Sequence, residues 1–380
     1  MMADDLKSYE RWGSLDGKRV LVRVDFNVPV ELRDGRWHVT DDFRIRSAIP
    51  LFEDLLARGA TVVACTHFGR PKGRVVDEYR VDPIRERLAQ LCAGVTLMEN
   101  LRFDPGEEAN DPTFGASLVE GFDYYVNEAF SASHRAHASI MIPPTLVPSA
   151  VGPNFRREVE VMRTVIDAPA HPFVAIVGGA KVGDKLGIVK VLAQRADTVI
   201  VGGGMAYTFE YAQGRTIGSS LFDASYVAEC TELLARENIL IPSDTRGLRD
   251  GSPVGPDGGE DPVLDFGANV PAGCEGFDIG PETIERFTAA IAPAATILWN
   301  GPMGLFEDDR FARGTEAVAR AVAASSAFSV VGGGDSAAAL KKFGLAESVG
   351  FVSTGGGASL ELVEFGDLPG LRALRESPFP

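Results

Sequence analysis

The feature that most constrains this chain is a unit, repeated through its second half, in which a short apolar strand runs directly into glycines and then into a helical stretch. The unit occurs at Ile176–Lys181, Val199–Gly204, Val330–Asp335 and Ser353–Gly357. Apolar strands alternating with helices predict parallel sheets covered on both faces, so the fold class is α/β. Glycines after a strand let backbone N–H groups approach an anion, and the next helix directs its positive end at it. The second half is therefore predicted to bind phosphate groups at the carboxyl edge of its sheet.

Other β-rich segments alternate with helical stretches along the chain. We predict a helix over Arg44–Arg58 and strands at Lys18–Val24, Ala60–Thr66, Phe173–Val177, Thr198–Val201, Thr296–Trp299, Phe328–Val331 and Val349–Val352. At 380 residues the chain exceeds the usual size of one hydrophobic core, so two domains are expected. A turn-rich stretch at Pro148–Asn154 and a connecting helix over Phe155–Asp167 mark the boundary. Arg246–Gly273, rich in Gly, Pro and Asp, is predicted to be a surface excursion.

The acidic composition argues against two classes of partner. A formal net charge of -16 favours solubility and opposes general binding to nucleic acid or to an anionic membrane. Four widely spaced cysteines without a CxxC pair predict reduced, buried thiols. The first ten residues are charged and lack an apolar signal core, and no apolar run reaches the roughly 18 residues of a membrane span. We therefore expect a cytoplasmic protein.

Two lysines and an aspartate accompany the glycines of the second half. Lys181 and Lys185 are four residues apart, which predicts that they share one side of a helix start beside the anion site; a solvated face is the alternative. Asp335 follows a glycine-rich strand end and is a candidate Mg²⁺ ligand, or alternatively a helix cap. A Walker loop is excluded because Gly178–Gly183 continues with Asp184 and not with Lys.

An NAD site is disfavoured in the same half. Gly332–Ala337 fits the GxGxxA pattern after a predicted strand. However, such a site also needs an acidic residue about 20 positions later, at the end of the next strand. The chain reads Val352-Ser-Thr-Gly-Gly there and offers no carboxylate.

Basic residues follow the predicted strands of the first half. Asp25 and Asn27 leave the first strand, and the basic set near the strand ends comprises Arg44, His67, Arg70, Arg102 and Arg135. Taken singly, each arginine is more often a surface ion pair. Because parallel strands end at one edge, the set is expected to converge, and the arginine fork matches carboxylate and phosphate groups. The predicted ligand is a small molecule with several negative charges. His134 and His137 could share a helical face, but a third metal ligand does not accompany them.

These segments resemble the motifs of the phosphoglycerate kinase family. In the first half the matching segments are Arg19–Pro29, His67–Pro71, Glu99–Phe103 and His134–His137. In the second half they are Gly178–Lys185, Gly202–Ala206, Trp299–Glu307, Gly332–Asp335 and Ser353–Leu360. They follow the order of the family from about residue 15 to 370, so the resemblance is long and specific.

The resemblance implies two doubly wound, Rossmann-like parallel-sheet domains joined by a helix and hinge. We expect a phosphoglycerate-binding domain over 1–155, a nucleotide-binding domain over 156–365, and a segment, 366–380, that returns to the first domain. The implied reaction is the reversible, in-line transfer of a phosphoryl group from 1,3-bisphosphoglycerate to MgADP on domain closure, giving 3-phosphoglycerate and MgATP. We expect a monomer that acts on these small molecules.

The resemblance also implies a role for each matching residue. The implied phosphoglycerate ligands are Asp25, Asn27, Arg44, His67, Arg70, Arg102 and Arg135. The implied nucleotide-site residues are Gly179, Lys181, Lys185, Gly203, Asn300, Glu307, Gly334, Asp335 and Ser336. Arg44, Lys181 and Lys185 would act on the transferred group, Glu307 would bind ribose hydroxyls, and Asp335 would hold Mg²⁺.

The departures from the family pattern are few. Glu128 stands where Asp is usual, and Asp104 stands where His is common. Val254–Pro262 resembles no family motif. A non-catalytic nucleotide or anion sensor with the same fold is the alternative from another class, and the intact basic and acidic residues argue against it.

Overall fold

The computed structural model describes residues 6–379, and contacts within the chain divide it into two compact units. The first unit runs to Glu160 and resumes at Phe365, and the second unit is Val161–Glu364. The first five residues, which belong to the predicted charged terminus, lie outside the described part. Each unit is built around a parallel sheet, which confirms the predicted α/β class.

The first unit contains a five-stranded parallel sheet of order β5-β4-β1-β6-β7 and a separate antiparallel hairpin, β2-β3. Its strands are β1 Arg19–Arg23, β2 Val30–Arg33, β3 Arg36–Val39, β4 Thr61–Cys65, β5 Val95–Leu97, β6 Tyr124–Asn127 and β7 Ser149–Val151. Strand β1 lies in the middle and is almost wholly buried. Every residue that follows β1 therefore emerges at the centre of the sheet edge.

The helices that accompany these strands are α1 Phe43–Ala57, α2 Asp82–Leu91, α3 Pro105–Glu108, α4 Pro112–Val119, α5 Ala138–Met141, α6 Pro143–Leu146 and α7 Pro153–Asp167. Helix α1 buries Ile45, Ala48, Phe52 and Leu55, residues three or four apart that form one face of the helix. Arg44 lies in the first turn of α1, next to this buried face. The packing of α1 therefore fixes the backbone position from which the Arg44 side chain extends.

The second unit contains a six-stranded parallel sheet of order β10-β9-β8-β14-β15-β16. Its strands are β8 Phe173–Val177, β9 Thr198–Val201, β10 Ile239–Leu240, β11 Thr245–Arg249, β12 Leu264–Phe266, β13 Cys274–Ile279, β14 Thr296–Asn300, β15 Phe328–Gly332 and β16 Phe351–Val352. Its helices are α8 Leu186–Leu192, α9 Ala206–Ala212, α10 Val227–Leu234, α11 Pro281–Ile291, α12 Arg313–Ala324, α13 Gly334–Lys342 and α14 Gly357–Phe365. Glycines end or directly follow β8, β9 and β15, and Gly355–Gly357 come shortly after β16, so the four predicted strand–glycine units lie at one sheet edge. Gly301, after β14, lies at the same edge.

The prediction of a surface excursion over Arg246–Gly273 is wrong at both of its flanks. Strand β11 pairs with β12 and β13 in a three-stranded antiparallel sheet. Leu248 is fully buried there. The sequence pattern does not reveal these strands, because β11 contains Gly and two Arg around a single buried leucine, and β12 is only three residues long.

A last helix, α15 Pro369–Arg375, belongs to the first unit. The Gly370 amide donates to the Ser133 carbonyl at 2.9 Å. Leu371 and Leu374 are buried, and the Lys7 ammonium donates to the Ser377 carbonyl at 2.9 Å. All four cysteines are unpaired and buried, as predicted. Among the described residues, every helix is too short or too polar to cross a lipid bilayer.

Helix α1 offers a test of this packing because it carries one buried and one exposed phenylalanine. Phe52 is fully buried, whereas Phe43 is 60% exposed. We expect Phe52→Ala to lower the free energy of unfolding of the first unit by about 3–5 kcal/mol, since it leaves a cavity. Phe43→Ala is the matched control and should cost less than about 0.5 kcal/mol. Urea unfolding followed by circular dichroism measures both, and equal losses would contradict the assigned core.

Candidate active site

The candidate site of the first unit surrounds the segment that leaves β1. Arg44 donates to the Asp25 carboxylate at 2.5 Å, and the Ser131 hydroxyl donates to the same oxygen. Burial opposes ionisation of this carboxyl, but the neighbouring Arg44 and the Ser131 hydrogen bond hold the pKa of Asp25 below its usual value. Asp25 therefore stays charged and holds the Arg44 guanidinium in one place.

The loop after β4 contributes His67 and Arg70. His67 is 7% exposed, and its Nδ1 atom accepts a hydrogen bond from the Arg23 guanidinium at 3.2 Å. Burial, followed by the charges of Arg23, Arg102 and Arg135, lowers the pKa of His67 well below its usual value, although Asp25 opposes this. His67 is consequently a neutral imidazole at pH 7.

The same loop is tied to two further predicted residues. The Asn27 side-chain oxygen accepts from the Gly69 amide at 3.0 Å, and Arg102 donates to the Gly69 carbonyl at 2.8 Å. Burial lowers the pKa of Arg102, Glu108 opposes that shift, and Arg135 reinforces it, which shows that Arg102 and Arg135 are electrostatic neighbours. Arg70, the next residue after Gly69, is exposed.

The structure thus brings six of the predicted anion ligands into one connected group: Asp25, Asn27, Arg44, His67, Arg102 and Arg135. Arg70 joins it through the backbone of Gly69. Neighbouring cations repel each other, and each is stabilised by a bound anion. The group is suited to a small molecule with more than one negative charge.

The surroundings of His134 and His137 are unfavourable for a metal centre. Burial lowers the pKa of His137 to about 4, with Arg102 and Arg23 adding to the effect. The His137 Nδ1 atom lies 3.9 Å from Glu107. Within residues 6–379, no group of three or more His, Cys, Asp and Glu side chains could hold a metal ion. His137 lies among arginines, which is unfavourable for a cation.

The candidate site of the second unit is built from the glycine loops after β8, β9 and β14. The Gly178 amide donates to the Asn300 carbonyl at 2.8 Å, and the Gly179 amide donates to the Pro302 carbonyl at 3.0 Å. Gly203 has φ +67°, and a Cβ there would lie 2.6 Å from the Gly179 nitrogen. These backbones touch so closely that side chains are excluded from the loops.

Lys185 points into these loops. Its ammonium donates to the Gly178 carbonyl and to the Asn300 side-chain oxygen, both at 2.6 Å. Burial lowers the pKa of Lys185 to about 8, while Asp335 and Asp184 oppose the shift. An incoming anion would therefore stabilise the charged form of the Lys185 ammonium.

The predicted helical relation of the two lysines is wrong. Helix α8 begins only at Leu186, so Lys181 and Lys185 precede it, and Lys181 is exposed. The glycine-rich loop between β8 and α8 keeps the backbone out of helical geometry over this stretch. Lys181 lines a pocket of about 410 Å³ with Asp223 and Tyr226, and this pocket shares Ala180, Gly204 and Leu221 with the pocket beside the glycine loops.

A pocket of about 340 Å³ opens beside the glycine loops. Four predicted residues line it, namely Gly179, Gly203, Glu307 and Asp335. Apolar walls complete it, formed by Tyr207, Leu221, Val254, Phe277 and Leu305. A flat apolar group fits between such walls, with polar groups placed at the rim. Leu305 lies within the matched segment Trp299–Glu307, whereas the other four wall residues lie outside the matched segments, so nothing in the sequence marked those four as site residues.

Asn300 and Ser336 lie beneath the pocket surface. The Gly301 amide donates to the Ser336 hydroxyl at 2.6 Å, and Ser336 is fully buried. The Asn300 Nδ2 atom is buried, has no hydrogen-bond partner in the described part of the chain, and would lie 2.9 Å from a Cβ on Gly333. The Asn300 and Ser336 side chains contact the glycine loops from their buried side. Gly334, by contrast, is exposed in the first turn of α13.

The donor set at the pocket rim bears on Mg²⁺ binding. Mg²⁺ is usually bound by one or two carboxylates together with substrate phosphates and water. Asp335 supplies one exposed carboxylate at the pocket rim, and its charge reaches Lys185. This donor set fits a metal ion that arrives with a polyphosphate and does not fit a permanently bound one.

Comparison with known proteins gives a consistent result over the whole chain. A family model described as phosphoglycerate kinase matches residues 11–96 and 92–365. The phosphoglycerate kinases of Rubrobacter xylanophilus and Moorella thermoacetica are each 46% identical, over 95% of this chain and 96% and 97% of theirs. The solved phosphoglycerate kinase structure from Coxiella burnetii has a TM-score of 0.86 at 34% identity, and that from Pyrococcus horikoshii has 0.82 at 29%. Each covers 97% of this chain and 98% of its own.

The lowered pKa of Lys185 can be measured directly. We expect one lysine resonance of the ¹³C-methylated protein to titrate near pH 8, and the Lys185→Arg variant to lack that resonance. Inorganic tripolyphosphate should raise this pKa, because an anion favours the charged ammonium. A spectrum in which removing Lys185 deletes only an ordinary lysine signal would contradict its burial.

Proposed function

We propose, on the premise that the chain belongs to the phosphoglycerate kinase family, that its first unit binds the phosphoglycerate and its second unit binds the nucleotide. Members of the family catalyse the reversible transfer of a phosphoryl group between 1,3-bisphosphoglycerate and ADP, a step of glycolysis, and this chain is such an enzyme. It acts on small molecules. The observation that carries the division of labour is the group of cations around β1, which contrasts with the apolar pocket and glycine loops of the second unit.

In the first unit, Arg44, Arg70, Arg102 and Arg135 are proposed to bind the phosphate and carboxyl groups of the triose. Arginine presents two parallel donors to such groups, and Asp25 holds Arg44 in position for this. Asn27 fixes the Gly69 backbone, and His67 donates from its ring.

In the second unit, the apolar walls are proposed to take the base, and Glu307 the ribose hydroxyls. The phosphates then lie along Gly179, Gly203 and Gly334, where backbone N–H groups and the start of α13 offer positive charge. Lys181 and Lys185 supply the ammonium groups, and Asn300 and Ser336 keep the loops in shape. Asp335 is proposed to hold Mg²⁺ together with the phosphate oxygens.

Phosphoryl transfer requires in-line positioning and compensation of charge on the oxygens of the transferred group. When bound, Mg²⁺ neutralises part of the phosphate charge. Arg44 is proposed to stabilise the acceptor side, and the Lys185 ammonium is proposed to move from Asn300 onto the transferred group. No covalent intermediate with the protein is needed, which agrees with the unreactive surroundings of the cysteines: burial raises the pKa of Cys65 to about 12.

A cytoplasmic location is proposed together with this role. It is supported by four unpaired thiols, which persist in reducing compartments, and by the glycolytic reaction of the family. The monomeric state stays a prediction, and analytical ultracentrifugation of the full chain tests it.

Arg44→Ala tests the substrate assignment. We expect kcat to fall about 10²-fold or more in a coupled assay of ATP formation from 1,3-bisphosphoglycerate and ADP, since a charge that stabilises the transition state is lost. Arg46→Ala, on the same helix, is the matched control, because Arg46 is exposed and pairs with Asp42 at 2.9 Å, one turn back on that helix. Its kcat should stay within about twofold of the wild-type value. A near-wild-type kcat in folded Arg44→Ala would overturn the assignment, and a chain without any activity would favour a sensor.

Asp335→Asn tests the metal assignment. We expect the Mg²⁺ concentration for half-maximal activity to rise about tenfold or more, because a neutral amide is a weaker Mg²⁺ ligand than a carboxylate. Titration calorimetry of MgADP should show a matching loss of affinity, while ADP without metal binds about as before. Asp309→Asn is the control, since Asp309 is exposed and pairs with Lys342 at 2.6 Å. An unchanged Mg²⁺ requirement in Asp335→Asn would exclude the role.

A further inference from the structure

Beneath the cations of the first unit lies a buried polar group for which the proposed function has no use. Arg23, at the end of β1, Glu107 in α3 and Ser139 in α5 are all fully buried. A charged side chain is costly to bury unless it is paired and hydrogen-bonded. Three different segments converge to satisfy this group, so the arrangement is a built feature of the unit.

The hydrogen bonds of the group run in a single direction. The Arg23 guanidinium donates from Nε to the Ser139 hydroxyl oxygen at 2.8 Å. The Ser139 hydroxyl must then donate its own hydrogen, and it does so to Glu107 Oε1 at 2.6 Å. The Ser139 amide donates to Glu107 Oε2 at 2.8 Å. Both carboxylate oxygens are thereby engaged, and the Arg23 Nη2 atom lies 3.9 Å from Oε1 as an ion pair.

His67 contacts the same guanidinium. Arg23 Nη2 lies 3.2 Å from His67 Nδ1. Arginine can only donate, so Nδ1 must present its lone pair, and the single proton of a neutral ring must lie on Nε2. Arg23 thus connects the buried carboxylate to the ring of a substrate-site histidine.

We propose that Glu107, acting through Ser139 and Arg23, is a positioning residue that holds His67 as a neutral imidazole with its proton on Nε2. We call this series of contacts, from Glu107 through Ser139 and Arg23 to His67, the relay. The Nε2–H group is then a fixed donor for a carboxylate or phosphate oxygen of the triose. The role of this Nε2–H donor rests on the proposed function, in which His67 contacts the phosphoglycerate. Were the ring free to exchange tautomers, part of its population would offer the anion a lone pair at Nε2.

The surroundings of the ring support this state. His67 is 7% exposed and has Arg23, Arg102 and Arg135 as electrostatic neighbours, which oppose a second proton on the ring. Asp25 is an acidic neighbour that acts in the opposite sense, and it is already engaged by Arg44 and Ser131. Removing Glu107 or Ser139 frees the Nε side of the guanidinium, while its Nη1 bond to the Val24 carbonyl and the histidine itself stay in place.

The tautomer is read from long-range ¹H–¹⁵N spectra of the ¹⁵N-labelled full chain, with His67→Gln to assign the ring. We expect an unprotonated Nδ1 and a protonated Nε2 in the wild type at pH 7. Ser139→Ala and Glu107→Gln should both shift the ring towards a mixture of tautomers. They should raise the KM for 3-phosphoglycerate about tenfold, with kcat and the KM for ATP within about twofold, since one hydrogen bond to an anion weakens.

Ser149→Ala is the matched control. Ser149 is as buried as Ser139, and its hydroxyl donates to the Val147 carbonyl at 2.8 Å, away from the relay. It should leave both the ring and the KM unchanged. A wild-type ring with its proton on Nδ1 overturns the proposal, whether or not the variants fold. Variants that fold with the ring and the KM of the wild type also overturn it. If the tautomer is as expected but 3-phosphoglycerate leaves the Nε2 signal unmoved, the relay stands and the substrate role of His67 fails.

Discussion

In a parallel sheet every strand ends at the same edge, and we propose that both sheets of this chain bind anions there. The residues at the strand exits differ chemically between the two sheets. After β1 and β4 the first unit presents Asp25, Asn27 and His67, while β8 and β9 of the second unit run into glycines. A triose with compact charges needs side chains that reach it, and a polyphosphate chain needs backbone that can lie against it. One architecture therefore accommodates two substrates through different strand exits.

Local electrostatics in this protein are opposite to its overall charge. The chain carries a formal net charge of -16, yet burial together with three neighbouring arginines lowers the pKa of His67 and keeps its ring neutral. Salt screens charges over roughly 8 Å at physiological ionic strength, so an acidic surface does not cancel a buried cluster of arginines. Acidic side chains inside the first unit hold arginines in place. Asp25 pairs with Arg44, and Glu107 pairs with Arg23.

Residues that follow strands were predictable from the sequence, and those that act through tertiary contacts were not. The exits of β1 and β4 indicated Asp25 and His67 because polar residues there interrupt apolar runs. Glu107 gave no such signal, since its partner Ser139 is 32 residues away and meets it only in the folded unit. The same limit applies to Leu248, whose burial depends on pairing between β11 and β13. Lys185 was found by its motif, but its loop conformation depends on contacts with Asn300, 115 residues later.

The helix α15 completes the first unit with chain that lies beyond the whole of the second. Gly370 donates to the carbonyl of Ser133, two residues before Arg135. During synthesis on the ribosome, the segment carrying Arg135 therefore waits for more than two hundred further residues before this contact can form. The first unit emerges early but gains its contact between Gly370 and Ser133 last, so a truncated chain could hold the whole second unit while the first unit still lacked α15.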